Sequence, residues 1–158
     1  MDMLVKLYDL PHPSTWQEKT KQLQLEGIEI RHAIAPEKHV IVDWVREHFN
    51  PHWASEVEVA FIQQPVSCII ATHEKQMIGF AAYEATGKTF FGPTGVLQAY
   101  RGLGIGKVLL LEALQQLKHM GYAYGIIGGV GPVEFYENVV GATLIENSTP
   151  GIYRGMLR

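Results

Sequence analysis

Gly102, Gly104 and Gly106 alternate with Leu103, Ile105 and Lys107 in one short run opened by Arg101. Glycines so placed leave the backbone bare, so that neighbouring N–H groups can close on an anion. The chemistry is strongest where a helix begins, because unpaired N–H groups and the positive end of the helix dipole converge there. The flanking residues predict that setting: Phe90, Phe91, Val96 and Leu97 read as a strand over 89–97, and Leu109, Leu110, Ala113, Leu114 and Leu117 as a helix over 108–120. Two nucleotide loops fail on particular residues. A dinucleotide fingerprint needs Gly-x-Gly-x-x-Gly and an acid about 20 residues on, whereas here the third glycine is one position early and Tyr122 to Tyr124 stand where the acid belongs. A P-loop needs Ser or Thr after Gly-Lys, and Val108 follows Gly106-Lys107.

Other reactive side chains are sparse. Cys68 is the single cysteine, so no intrachain disulfide or multi-cysteine metal site can form. It sits in the apolar run Val66-Ser67-Cys68-Ile69-Ile70-Ala71, which predicts a buried strand thiol rather than a nucleophile. Of the seven histidines only His48 and His52 are four apart, and Pro51 between them breaks that helix, so no metal site is expected.

The elements that must hold the loop read in order. Met3, Val5 and Leu7 suggest a short strand, and Ser14 or Thr15 could cap a helix that Gly27 stops. Alternation over 28–34 predicts the first strand of the main sheet, and Pro36 opens a helix that Pro51 ends. A helix over 54–63 follows. Strands over 67–72, 77–84 and 89–97, joined by short turns, predict an antiparallel meander, with a bulge or splay at Gly92-Pro93. A strand over 122–127, a helix over 133–139 and two closing strands over 142–145 and 152–157 complete the reading.

The chain has 158 residues, 47% hydrophobic and 18% charged, with a formal net charge of -3. That fits one folded domain and offers no electrostatic case for nucleic acid. No apolar run approaches the ~20 residues of a membrane span. With one cysteine and no secretory leader in view, a cytoplasmic setting is expected.

The loop does not stand alone. Arg101-x-x-Gly104-x-Gly106 follows a strand ending in Val96, and Phe135-Tyr136-Glu137-Asn138 with Gly141-Ala142 follows further on. Together these resemble the acyl-CoA loop and the second motif of the GNAT superfamily of N-acetyltransferases. The resemblance covers residues 28–157 and leaves 1–27 outside.

It implies an α/β (α+β) domain over 28–158, with a mixed, mostly antiparallel twisted sheet of six to seven strands and helices on both faces. Residues 1–27 become a strand-helix extension, packed on the domain or on the partner in a homodimer. The implied reaction moves an acetyl group from acetyl-CoA, as co-substrate and without a metal, to a primary amine of a small molecule or peptide. Val96, Leu97, Arg101, Gly102, Leu103, Gly104, Ile105, Gly106, Lys107 and Phe135 would hold the coenzyme. Tyr136 would be the acid for the departing thiolate, and Glu84 the candidate base, with Glu134 or a water chain as the other candidates. The resemblance also suggests an acceptor pocket near His48, Phe49, His52, Trp53 and Phe61. Gly129 stands where the family often has asparagine and Gln98 where it often has proline. A domain of the same fold that binds acyl-CoA without transferring the acyl group is the competing reading.

Overall fold

The computed structural model describes residues 1–158. In chain order the elements are β1 (Asp2–Lys6), α1 (Ser14–Leu25), β2 (Ile28–His32), α2 (Lys38–His48), α3 (Pro51–Ala60), β3 (Cys68–His73), β4 (Gln76–Tyr83), β5 (Phe90–Val96), α4 (Ile105–His119), β6 (Tyr124–Ile127), α5 (Val133–Val140) and β7 (Thr143–Ile145). One seven-stranded sheet runs β2-β3-β4-β5-β6-β1-β7. Every neighbouring pair is antiparallel except β5 and β6, which are parallel.

Strand alternation builds a core on each face. From β3, Ile69 and Ala71 join the cluster that includes Trp16 and Leu23 of α1, Leu109, Leu110 and Leu114 of α4, and Tyr136 of α5. Cys68 and Ile70 point the other way, to Ile41, Val42 and Val45 of α2 and Ala54 and Val57 of α3. Helices therefore cover both faces. The close approach of β5 to the second layer needs Gly95, where an added Cβ would lie 2.4 Å from Phe49 Cζ.

Three details differ from the sequence reading. Residues 1–27 do not hang beside a finished sheet, because β1 fills the slot between β6 and β7 and pairs with both. The segment 152–157 is not a closing strand; a 3-10 turn at Gly151–Tyr153 and irregular chain occupy it, and β7 is left as the edge of the sheet. Pro51 does not merely end α2 but starts α3, where its missing N–H costs nothing, and the Asn50 side chain caps that helix by accepting from Trp53 N–H at 2.8 Å. The expected bulge is present: the β4–β5 register shifts between Ala81 and Tyr83, opposite Gly92-Pro93. No helix is long and apolar enough to cross a membrane.

Cys68 is fully buried, and that burial pushes its thiol up to about 12. Native protein at pH 8 is expected to resist a thiol reagent such as dithionitrobenzoate, and urea-unfolded protein to titrate one thiol per chain. Rapid labelling of the native form would contradict this burial.

Candidate active site at the fork between the parallel strands

The parallel pair meets only at Phe90–Ile126 and Phe91–Ile127. Beyond Phe91 the bulge turns β5 away, and the β6 chain leaves through Gly128. The edge of β5 from Gly92 to Val96 that faces β6 therefore has no strand partner, while its other edge still pairs with β4. An unpaired edge offers its N–H and C=O groups to an extended ligand. A cavity of about 740 Å³ opens at the fork, with Phe91, Gly92, Thr94, Ile127, Gly128 and Tyr136 among its lining.

The glycine loop closes the far end of this edge. Gly102 and Gly104 have φ of +85° and +84°, a left-handed backbone that glycine adopts without penalty. Gly104 caps α4, and Val108 N–H makes the first helical bond, to Gly104 O at 3.2 Å. The N–H groups of Gly102 through Lys107 make no backbone hydrogen bond. These unpaired N–H groups stand at the N-terminus of a helix of 15 residues. Arg101 Nε donates to Val96 O at 3.2 Å and ties the loop to the end of β5. Leu97 N–H donates to Ile78 O at 2.9 Å, so it holds the strand end in the sheet.

Tyr136 and Glu84 are placed very differently. Tyr136 is 5% exposed, packs edge-on to Phe91 and Phe135 with ring centroids 6.3 and 5.1 Å away, and lines the cavity. Burial alone pushes its phenol up to about 12. Glu84 is also buried but is absent from the cavity wall. Tyr122 Oη donates to its Oε1 at 2.5 Å and Thr89 N–H to its Oε2 at 2.8 Å, while Glu84 N–H donates to Phe90 O. These bonds hold Glu84 in a left-handed backbone of φ +55° and shape the turn into β5. Glu134 is exposed on α5. Gly129, where the family's asparagine is often found, instead donates its N–H to Asp2 Oδ1 at 2.9 Å.

Of the suggested acceptor residues, His52 and Trp53 line the cavity; Phe49 stacks behind Trp53 at 5.1 Å, and His48 packs on Trp44. The sequence motifs do not reach three other residues. Glu56 and Tyr153 line the cavity, from α3 and the C-terminal segment. Lys19 lies against the glycine loop, its Cε 2.7 Å from where a Cβ on Gly104 would stand. Lys19 is brought there because α1 packs on α4, with Trp16 Nε1 donating to Glu112 Oε1 at 2.8 Å. No cluster of three or more His, Cys, Asp or Glu side chains is arranged to hold a metal ion.

Comparison with known proteins agrees with this architecture. No curated protein matches the chain by sequence. Among solved structures, a GCN5-related glucosamine N-acetyltransferase region of a fungal multi-domain GH3 beta-N-acetylglucosaminidase superposes with a TM-score of 0.68 at 21% identity, covering 88% of this chain and 19% of that one. A GCN5-related N-acetyltransferase from Sphaerobacter thermophilus gives 0.62 at 18% identity, over 91% of this chain and 47% of the other. A GNAT family acetyltransferase from Brucella melitensis, solved with acetyl-CoA, gives 0.55 at 22% identity over 70% and 80%. This chain therefore spans less than half the length of the first two. The profile of the acetyltransferase (GNAT) family matches residues 1–141, and so takes in the opening strand and helix that the sequence motifs leave out. With that match lying over a forked sheet and a glycine loop at a helix start, the chain belongs to the GNAT acetyltransferase family.

Proposed function

We propose that this protein moves an acetyl group from acetyl-CoA to a primary amine by direct attack within a ternary complex. The observation that carries the reading is one continuous track. Unpaired N–H groups of Gly102 through Lys107 stand at one end, the free edge of β5 runs between, and Tyr136 stands at the fork. The loop suits a pyrophosphate, with Arg101, Lys107 and Lys19 as neighbouring cations. The free edge from Gly92 to Val96 spans about 13 Å at ~3.3 Å per residue, a reach suited to an extended pantetheine arm whose amides pair like an added strand. Val96, Leu97, Leu103, Ile105 and Phe135 would flank that arm. The Brucella melitensis relative carries acetyl-CoA, which is consistent with this assignment.

Tyr136 sets the chemistry at the fork. With its phenol near 12 it stays protonated across the physiological range. Complete proton transfer to a thiolate of pKa about 8.5 would be uphill by roughly 5 kcal/mol. Tyr136 therefore acts as a hydrogen-bond donor to the departing sulfur. The amine's proton in the tetrahedral intermediate finally reaches that sulfur, and the phenol ends each cycle unchanged.

The test measures acetyl-CoA affinity by calorimetry and thiol release across a panel of amines. Micromolar binding with amine-dependent thiol release is expected, and S-acetylpantetheine, which lacks the pyrophosphate, should be a poor donor. Binding without release for any amine would instead assign a non-catalytic acyl-CoA-binding domain. Absence of binding would end the reading.

A further inference from the structure

The cavity wall contains a single carboxylate side chain, Glu56. It stands on α3 four residues after His52, on the same helix face, and it shares the cavity with Tyr136. Thr86 Oγ1 donates to Glu56 Oε1 at 2.7 Å, which fixes the carboxylate. No protein hydrogen bond occupies Oε2.

The charged and titratable groups around Glu56 come from several elements. His52 precedes it on α3, Met1 with its α-amino group lines the cavity beside β1, and Tyr153 and Arg158 come from the C-terminal segment. Asp2 of β1 lies beyond Tyr153, tied to Gly129 N–H. Burial raises the Glu56 carboxyl, with the Thr86 bond and His52 opposing the shift. Trp53, Phe91, Pro93 and Tyr153 give the same cavity apolar and aromatic walls. One fixed anion among such walls suits an ammonium group carried on an apolar or aromatic body.

Resting on acetyl transfer as proposed above, we infer that Glu56 binds the acceptor's ammonium group and takes its first proton, so that the substrates are small primary amines with an apolar or aromatic body. In the step, R–NH₃⁺ gives one proton to Glu56 Oε2, and the free amine forms a C–N bond at the thioester carbonyl carbon. The C–S bond then breaks, a second N–H proton ends on sulfur, and the products are the amide and the coenzyme A thiol. Glu56 returns its proton to solvent.

The probes are tyramine and phenethylamine, with glucosamine as a polar amine and 4-ethylphenol as tyramine without its ammonium group. Glu56→Gln keeps the shape and can still accept from Thr86. It is expected to lower kcat/KM for tyramine at neutral pH by about 10²–10⁴-fold, to leave acetyl-CoA affinity unchanged, and to remove the loss of activity on acidification that is expected of wild type. In the presence of coenzyme A, tyramine should bind the variant at least about tenfold more weakly, and 4-ethylphenol should bind both proteins alike. Unchanged tyramine turnover and binding in Glu56→Gln would overturn the role of Glu56. Turnover of glucosamine with no binding or turnover of the arylalkylamines would overturn the substrate class while acetyl transfer stands. Failure to bind acetyl-CoA would instead remove the parent reading.

Discussion

Tyr136→Phe is expected to lower kcat for acetyl transfer by about 10²–10³-fold, the usual cost of removing one hydrogen-bond donor to a developing charge, with little change in acetyl-CoA affinity. The substitution removes one hydroxyl and keeps the ring that packs on Phe91 and Phe135. Burial is what raises that phenol, and the ring packing survives the loss of its hydroxyl. The loss should therefore fall on the step in which sulfur departs rather than on folding or binding. Steady-state kinetics with thiol detection separates these outcomes, and thermal unfolding should show the variant as stable as wild type. A kcat within about threefold of wild type would take Tyr136 out of the reaction. A raised KM for acetyl-CoA at constant kcat would make it a wall of the coenzyme site.

Phe80→Ala is expected to cost about 3–5 kcal/mol of stability, a large share of the roughly 5–15 kcal/mol that holds a domain folded. Phe80 is fully buried in β4, with Trp44, Phe49 and Trp53 packed around it at ring-centroid distances of 6.2, 5.8 and 6.3 Å. Its removal leaves a hole that those rings cannot all close, since Phe49 is also pressed against Gly95. Trp53 belongs to the cavity wall, so the amine side of the site should loosen as well. The glycine loop opens α4, whose apolar residues pack in the other core cluster, and it should be spared. The expected pattern is a lower urea midpoint and a weaker kcat/KM for amine, with acetyl-CoA affinity retained in the folded fraction. A stability loss under about 1 kcal/mol would show that the aromatic cluster repacks freely.

What local sequence can carry was legible. The glycine run, the helix periodicity after it and the apolar strand before it are neighbours in the chain, and so the loop at the helix start could be read directly. The same holds for the disruption at Gly92-Pro93, because proline cannot donate to a ladder and any strand containing it must deviate there. Phe135-Tyr136 announced itself as a motif, although only the fold placed Tyr136 at the fork.

Tertiary pairing decided the rest. A strand's pattern states which face is buried but not which neighbour it will have, so β1 between β6 and β7 was not visible in Met3, Val5 and Leu7. That placement brings Asp2 beside Gly129 and Ser148, across 127 and 146 residues of chain. Glu84 illustrates the same limit. Its place at a strand end is compatible with either a base or a turn, and only its bonds to Tyr122 and Thr89 show that it holds the turn. Glu56 and Lys19 carry no motif at all. They acquire their places because α3 and α1 pack on opposite faces of the sheet, one against the fork and the other against the start of α4. The sequence by itself determined the glycine loop, where backbone geometry within one short stretch frees the N–H groups. The tertiary structure decided the cavity at the fork, where side chains far apart in the chain converge.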